Sequence, residues 1–116
     1  VIFGAGGITG NGAVEQGAAE GVYVIGVDTD QYYTLPAAAP RLLSSAVKDI
    51  TPGVAYLIYM AKEGSLSGGD QMGFVSYAPF HDLDPQVPQQ VKDWMETILT
   101  QLATGELSTG VPTLKP

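Results

Sequence analysis

The stretch VIFGAGGITGNGAVEQ, residues 1–16, constrains the fold of this chain more than any other. An apolar run breaks at five glycines (4, 6, 7, 10 and 12), and a helix-forming segment follows. Residues 1–3 read as a short buried strand, 4–12 as a loop, and 13–20 as a helix that Gly21 stops. Residues 22–27 are apolar and rich in β-branched side chains, and they read as a second strand. Two strands around a short helix make a βαβ unit, so the strands are expected to be parallel with a right-handed crossover.

The same grammar continues. Residues 28–41 carry Pro36, Pro40 and an alanine run, and read as loop; residues 42–47 read as a third strand. Thr51-Pro52 reads as an N-cap and first-turn proline. Val54, Leu57, Ile58 and Ala61 follow at helical spacing, and Gly64 ends that helix. Residues 73–77 read as a fourth strand. A last helix begins at or just after Asp84-Pro85. Its stripe, which includes Val91, Trp94, Ile98 and Leu102, reads as core, and Gly105 stops it. Residues 109–116 are expected to fray or to add a short edge strand. The fold class expected is α/β, with parallel βαβ units and helices on both faces of the sheet.

Bulk properties narrow the function. The length of 116 residues suits one small α/β domain and not two. With 45% hydrophobic and 15% charged residues, a packed core is expected and disorder is not. A net charge of −7 disfavours nucleic acid and anionic membrane surfaces as partners. The absence of cysteine excludes thiol catalysis, thiolate metal sites and disulfides. Residue 1 already lies inside a strand-like run, so the chain is expected to be a fragment of a longer protein.

Three features could hold a ligand. Gly4-Ala5-Gly6-Gly7-Ile8-Thr9-Gly10 fits GxGxxxG, a relative of the dinucleotide fingerprint. Glycines let a ligand touch backbone, and free N–H groups at a helix start attract negative charge. The bland alternative is that these glycines only turn the chain tightly. Asp28 and Asp30, in GVDTDQ, follow the second strand at the edge where open parallel sheets bind ligands. Gly6, Gly7, Thr9 and Asp28 are therefore expected to share one crevice, with Asp28 accepting hydrogen bonds from sugar hydroxyls. Asp30 reads equally well as a solvated loop acid. Lys48 ends the third strand and is one of only four lysines. It could donate to ligand hydroxyls and offset Asp28, or simply pair with Asp49 or Asp82.

Reactive constellations are scarce. His81 is the single histidine, and beside Asp82 it could form half of a triad. No Gly-x-Ser-x-Gly elbow accompanies it, and one histidine with nearby acids is too few ligands for zinc. The plainer reading is that His81 ties down a loop by a hydrogen bond. Tyr32 and Tyr33 follow the acid loop. In extended chain adjacent side chains point apart, so at most one would flank a ligand. No catalytic residue, metal or cofactor is assigned.

GAGGITGNGA, GVYVIGVDTDQ, SSAVKDI, YAPFHD and VPQQVKDWMETI occur in that order. This series resembles the basic membrane lipoprotein, or purine nucleoside receptor-like, family of ABC importer substrate-binding proteins. The resemblance runs from Val1 to about Gly110. It implies a type I periplasmic-binding fold of two lobes, with a purine nucleoside or related base closed between them. Residues 1–50 would belong to the second lobe. Residues 51–116 would supply a hinge crossover, a strand and a C-terminal helix completing the first. Gly6 and Gly7 match the glycine pair that the base approaches, Asp28 the acid on the ribose hydroxyls, and Lys48 the lysine that reaches the ribose. The implied partners are that small molecule and an ABC permease. The implied location is extracytoplasmic, periplasmic or at the cell surface, with membrane contact only through a lipid anchor on the parent chain. Two stretches depart from the family pattern: GGITG is one residue longer than the commoner GGTG, and YYTLPAAAP replaces a Pro-Gly turn. The rival readings are a fragment of a nicotinamide-dinucleotide oxidoreductase, and a structural or regulatory domain that has lost the site.

Overall fold

The computed structural model describes residues 1–111. Its contacts divide the chain into two compact units, Val1–Asp84 and the residues from Pro85 onward.

The first unit is built on one sheet with strand order β1-β2-β3-β4. β1 is Ile2–Phe3, β2 is Val24–Asp28, β3 is Leu42–Lys48 and β4 is Val75–Tyr77. β1, β2 and β3 are parallel, as the βαβ pattern predicts, while β4 pairs antiparallel with β3. Residues on both sides of position 50 therefore share one sheet. Three parallel strands bring three carboxyl ends, and the chain segments leaving them, to a single edge.

Helix α1, Gly7–Ala19, starts six residues earlier than the glycine pattern suggests. The reason is packing. A Cβ on Gly10 would overlap the Gly4 carbonyl, and one on Gly4 would overlap the Val14 side chain. A Cβ on Gly17 would lie 2.7 Å from the Ile2 side chain and 3.2 Å from that of Val24. These glycines let α1 lie close on β1 and β2, and the helix runs through them despite their cost of roughly 1 kcal/mol each relative to alanine. Gly21 takes the expected left-handed stop, with φ 77° and its N–H donating to the Ala18 carbonyl.

The core is small. Val14 and Ala18 of α1 meet Val24, Ala38 and Leu42, and Ile2, Tyr32 and Leu35 pack against them. The segment expected as plain loop after β2 contains a short helix α2, Gln31–Thr34, and a 3-10 turn, Ala39–Arg41. Asp30 makes the difference: its side chain caps α2 by accepting from the Tyr32 N–H at 3.1 Å.

Helix α3, Ile50–Lys62, begins one residue before Thr51, with Asp49 in the cap position. Pro52 is tolerated because first-turn N–H groups have no partner within the helix. Gly64 stops it at φ 69°.

The second unit begins within a 3-10 segment, His81–Gln86, and contains helix α4, Gln89–Thr104. Gly105 ends α4 in the left-handed region, φ 76°, as its position predicts. The apolar stripe is helical, but it is not buried: Trp94 is 58% exposed and α4 has no buried residue. Helical spacing shows which face is apolar and says nothing about what covers it. Of the tail expected to fray or pair, residues 109–111 form no strand and residues 112–116 lie outside the described part.

Candidate ligand-binding site at the strand ends

β2 ends at Asp28, whose register partner on β3 is Val47. Lys48, one step further, therefore stands beside Asp28, and its Nζ lies 2.6 Å from Asp28 Oδ1. That oxygen is shielded from solvent. Both side chains remain substantially open, 64% for Lys48 and 46% for Asp28, so both can still reach a ligand. Of the alternatives for Lys48, neither Asp49 nor Asp82 is its partner; Asp28 is.

Asp28 is backbone-strained. Its φ is 72°, and the Thr29 N–H donates across it to the Val27 carbonyl at 2.9 Å. A three-residue turn with that sign of φ is the rare, strained form. Strain of this kind persists where neighbouring contacts over-determine it, which is common at functional sites. Here it ends β2 abruptly at the one carboxylate that faces the β3 ammonium.

Asp28 and Lys48 line a cleft of about 680 Å³ with Thr29, Asp30, Asp49 and Thr51. Gly6, Gly7 and Thr9 leave the same sheet edge but do not line this cleft. Of the four residues expected to share one crevice, only Asp28 lines this cleft, and it does so together with Lys48; Gly6, Gly7 and Thr9 stand elsewhere along the edge. Gly6 occupies the cap position of α1 with no side-chain cap, and Gly7 has φ 55° with open space where a Cβ would go. Thr9 is exposed in the first turn. The glycine pattern therefore divides: Gly4 and Gly10 serve packing, and Gly6-Gly7 presents bare backbone at a helix start.

A second cleft, of about 490 Å³, is apolar and lies between α3 and the segment before β4, with Tyr56 and Phe74 in edge contact at 5.9 Å.

The acid loop is more tightly held than its sequence suggests. Asp30 is no solvated acid: its Oδ2 lies 2.8 Å from His81 Nε2. Tyr32 stacks on the His81 ring at 4.0 Å, and its hydroxyl donates to Asp82 at 2.8 Å. That hydrogen bond, with burial and the Asp82 charge adding to it, raises the Tyr32 pKa above its ordinary 10.0. Because α2 is helical, Tyr32 and Tyr33 do not point apart; their rings meet edge-on at 5.3 Å, and both contact His81. His81 ties down a loop, as its plainer reading has it, and the loop is the one that carries Asp28.

Beneath the edge, Gln31 is 5% exposed. Its N–H donates to Ser45 Oγ at 3.1 Å and its Nε2 to Asn11 Oδ1 at 2.8 Å, linking α2 to β3 and to α1. A Cβ on Gly26 would lie 2.6 Å from both Gln31 Oε1 and Ser45 Oγ, so glycine makes room for this link.

Sequence reasoning missed the Asp30–His81 and Gln31–Asn11 contacts, because no local spacing announces partners so far apart along the chain. Among the described residues, no group of three or more histidine, cysteine or acidic side chains is arranged to hold a metal, and no helix is long and apolar enough to cross a membrane.

Comparison with known proteins gives two findings. A family model, Bmp, described as ABC transporter substrate-binding protein PnrA-like, matches residues 1–75. A crystal structure of a transcriptional activator of the comK gene from Bacillus halodurans superposes with a TM-score of 0.73 at 21% identity, covering 97% of this chain. At that identity the likeness shows the fold alone. The chain spans only 38% of that protein's length. No curated protein matches this chain.

Proposed function

The chain belongs to the Bmp family of PnrA-like ABC transporter substrate-binding proteins, and from that premise we propose that it is part of an importer's binding component that holds a purine nucleoside without altering it. The observation that carries this reading is the Asp28–Lys48 pair, 2.6 Å apart at the carboxyl ends of two parallel strands and beside a cleft. A carboxylate and an ammonium so placed can accept from and donate to two neighbouring sugar hydroxyls. Hydrogen bonds to charged groups contribute roughly 1.5–3 kcal/mol each. The Gly6-Gly7 backbone, free of side chains on the same edge, lets a flat base approach closely.

In this reading the four-stranded sheet belongs to one lobe of the parent receptor. The base is stacked by the second lobe on closure, and the closed form is what a permease recognises. The setting is extracytoplasmic, with a lipid anchor on the parent chain. The dinucleotide-oxidoreductase alternative gains no support from the family match.

The test is thermal. Inosine, guanosine or adenosine should raise the melting temperature of the full-length protein, and NAD should not. A shift with NAD alone, or with none of these compounds, would overturn the reading.

A further inference from the structure

Asp28 and His81 are the only non-glycine residues among those described with positive φ, at 72° and 44°. They lie far apart in sequence, yet both converge on Asp30. Asp28 is two residues upstream of it, and His81 Nε2 is 2.8 Å from its Oδ2. Asp30 Oδ1 accepts the Tyr32 N–H, the Tyr32 ring stacks on His81, and the Tyr32 hydroxyl donates to Asp82. Asp30, Tyr32, Asp82 and His81 thus close a ring of contacts between the segment that carries Asp28 and the segment after β4.

A carboxylate only accepts, so the Nε2 facing Asp30 is the imidazole's donor. The pair is well shielded, with side-chain exposures of 14% for His81 and 24% for Asp30. It is therefore weakened by solvent far less than the open Asp28–Lys48 pair. A left-handed aspartate at a strand end relaxes unless something holds the chain on its far side. The segment after Asp28 is held by this clasp.

We propose that His81 is a positioning residue for ligand binding: through Asp30 it holds residues 28–34 so that Asp28 keeps its turn and faces Lys48. The proposal rests on the reading of Asp28 as a ligand-gripping acid, but its geometry can be tested without a ligand.

The experiment uses the full-length protein and the variants His81→Gly and His81→Gln. Glycine removes the link while relieving the positive φ at position 81; glutamine restores a side-chain N–H donor. Hydrogen exchange of the Thr29 amide, which closes the turn over Asp28, is read in the unliganded protein, and inosine affinity is read by calorimetry. His81→Gly should speed Thr29 exchange by about tenfold with β3 amides unchanged, and weaken inosine by at least about tenfold, the low end for loss of one charge-assisted hydrogen bond. His81→Gln should recover both. Unchanged Thr29 exchange in His81→Gly overturns the clasp, and so does a loss of protection spread evenly over the sheet, which marks a purely structural histidine. If His81→Gly does not fold, His81→Asn, which tolerates a positive φ and whose shorter side chain does not reach Asp30, is held to the same Thr29 criterion. If the wild-type protein binds no inosine, the nucleoside reading fails, while Thr29 exchange still decides the clasp.

Discussion

Lys48 Nζ stands 2.6 Å from Asp28 Oδ1, joining the ends of two neighbouring parallel strands by charge. Both side chains are largely exposed, although the Asp28 oxygen in the contact is itself shielded, so the pair adds little to stability; exposed pairs contribute roughly 0–1 kcal/mol. In the proposed function it holds two opposite polar groups ready beside a cleft. Lys48→Met is therefore expected to change unfolding free energy by less than about 1 kcal/mol while weakening nucleoside binding. Denaturant unfolding and calorimetry on the same variant check the two halves.

The strained turn at Asp28 gives a prediction of opposite sign. A left-handed conformation costs a residue with a Cβ roughly 1–2 kcal/mol, and glycine almost nothing. Asp28→Gly should be more stable than Asp28→Ala by about 1 kcal/mol, with both binding poorly. Equal stability of the two variants in urea would show that the turn carries no strain.

The glycines of α1 separate by surroundings. Gly10→Ala drives a Cβ into the Gly4 carbonyl and should destabilise by about 1–3 kcal/mol, the usual cost of overpacking. Gly12 has open space around the same position, within the same helix. Gly12→Ala should stabilise by about 0.4–1 kcal/mol, because alanine loses less freedom on folding. Thermal unfolding of the pair reads both signs.

Much of this was legible in the chain, and the gaps have physical causes. The βαβ unit, the left-handed stops at Gly21, Gly64 and Gly105, and the placing of Asp28 and Lys48 at strand ends follow from local pattern. The start of α1 did not, because Gly10, needed for close packing on the Gly4 carbonyl, looks in sequence like a glycine needed for a turn. The exposure of Trp94 did not, because a stripe declares its face and not its partner. The clasp did not, because Asp30 and His81 are 51 residues apart and only the sheet brings them together.

Tyr32 offers a pH signature. Its phenol donates to Asp82, which raises its pKa above 10.0. A folded pKa above the unfolded one means that this contact's contribution is fully present below pH 10 and is lost as pH rises through the folded value. In a spectrophotometric titration, the difference between wild type and Tyr32→Phe should show one tyrosine ionising later than an ordinary phenol. Asp82→Asn should bring it back down. An ordinary titration for Tyr32 would contradict the contact.

The most direct measurement is a calorimetric titration of inosine into the full-length protein and its Asp28→Ala variant. The account predicts saturable binding to the wild type, and a loss of about 1.5–3 kcal/mol on removing the carboxylate. Wild-type affinity in Asp28→Ala would contradict the claim that this strand-end acid grips the ligand.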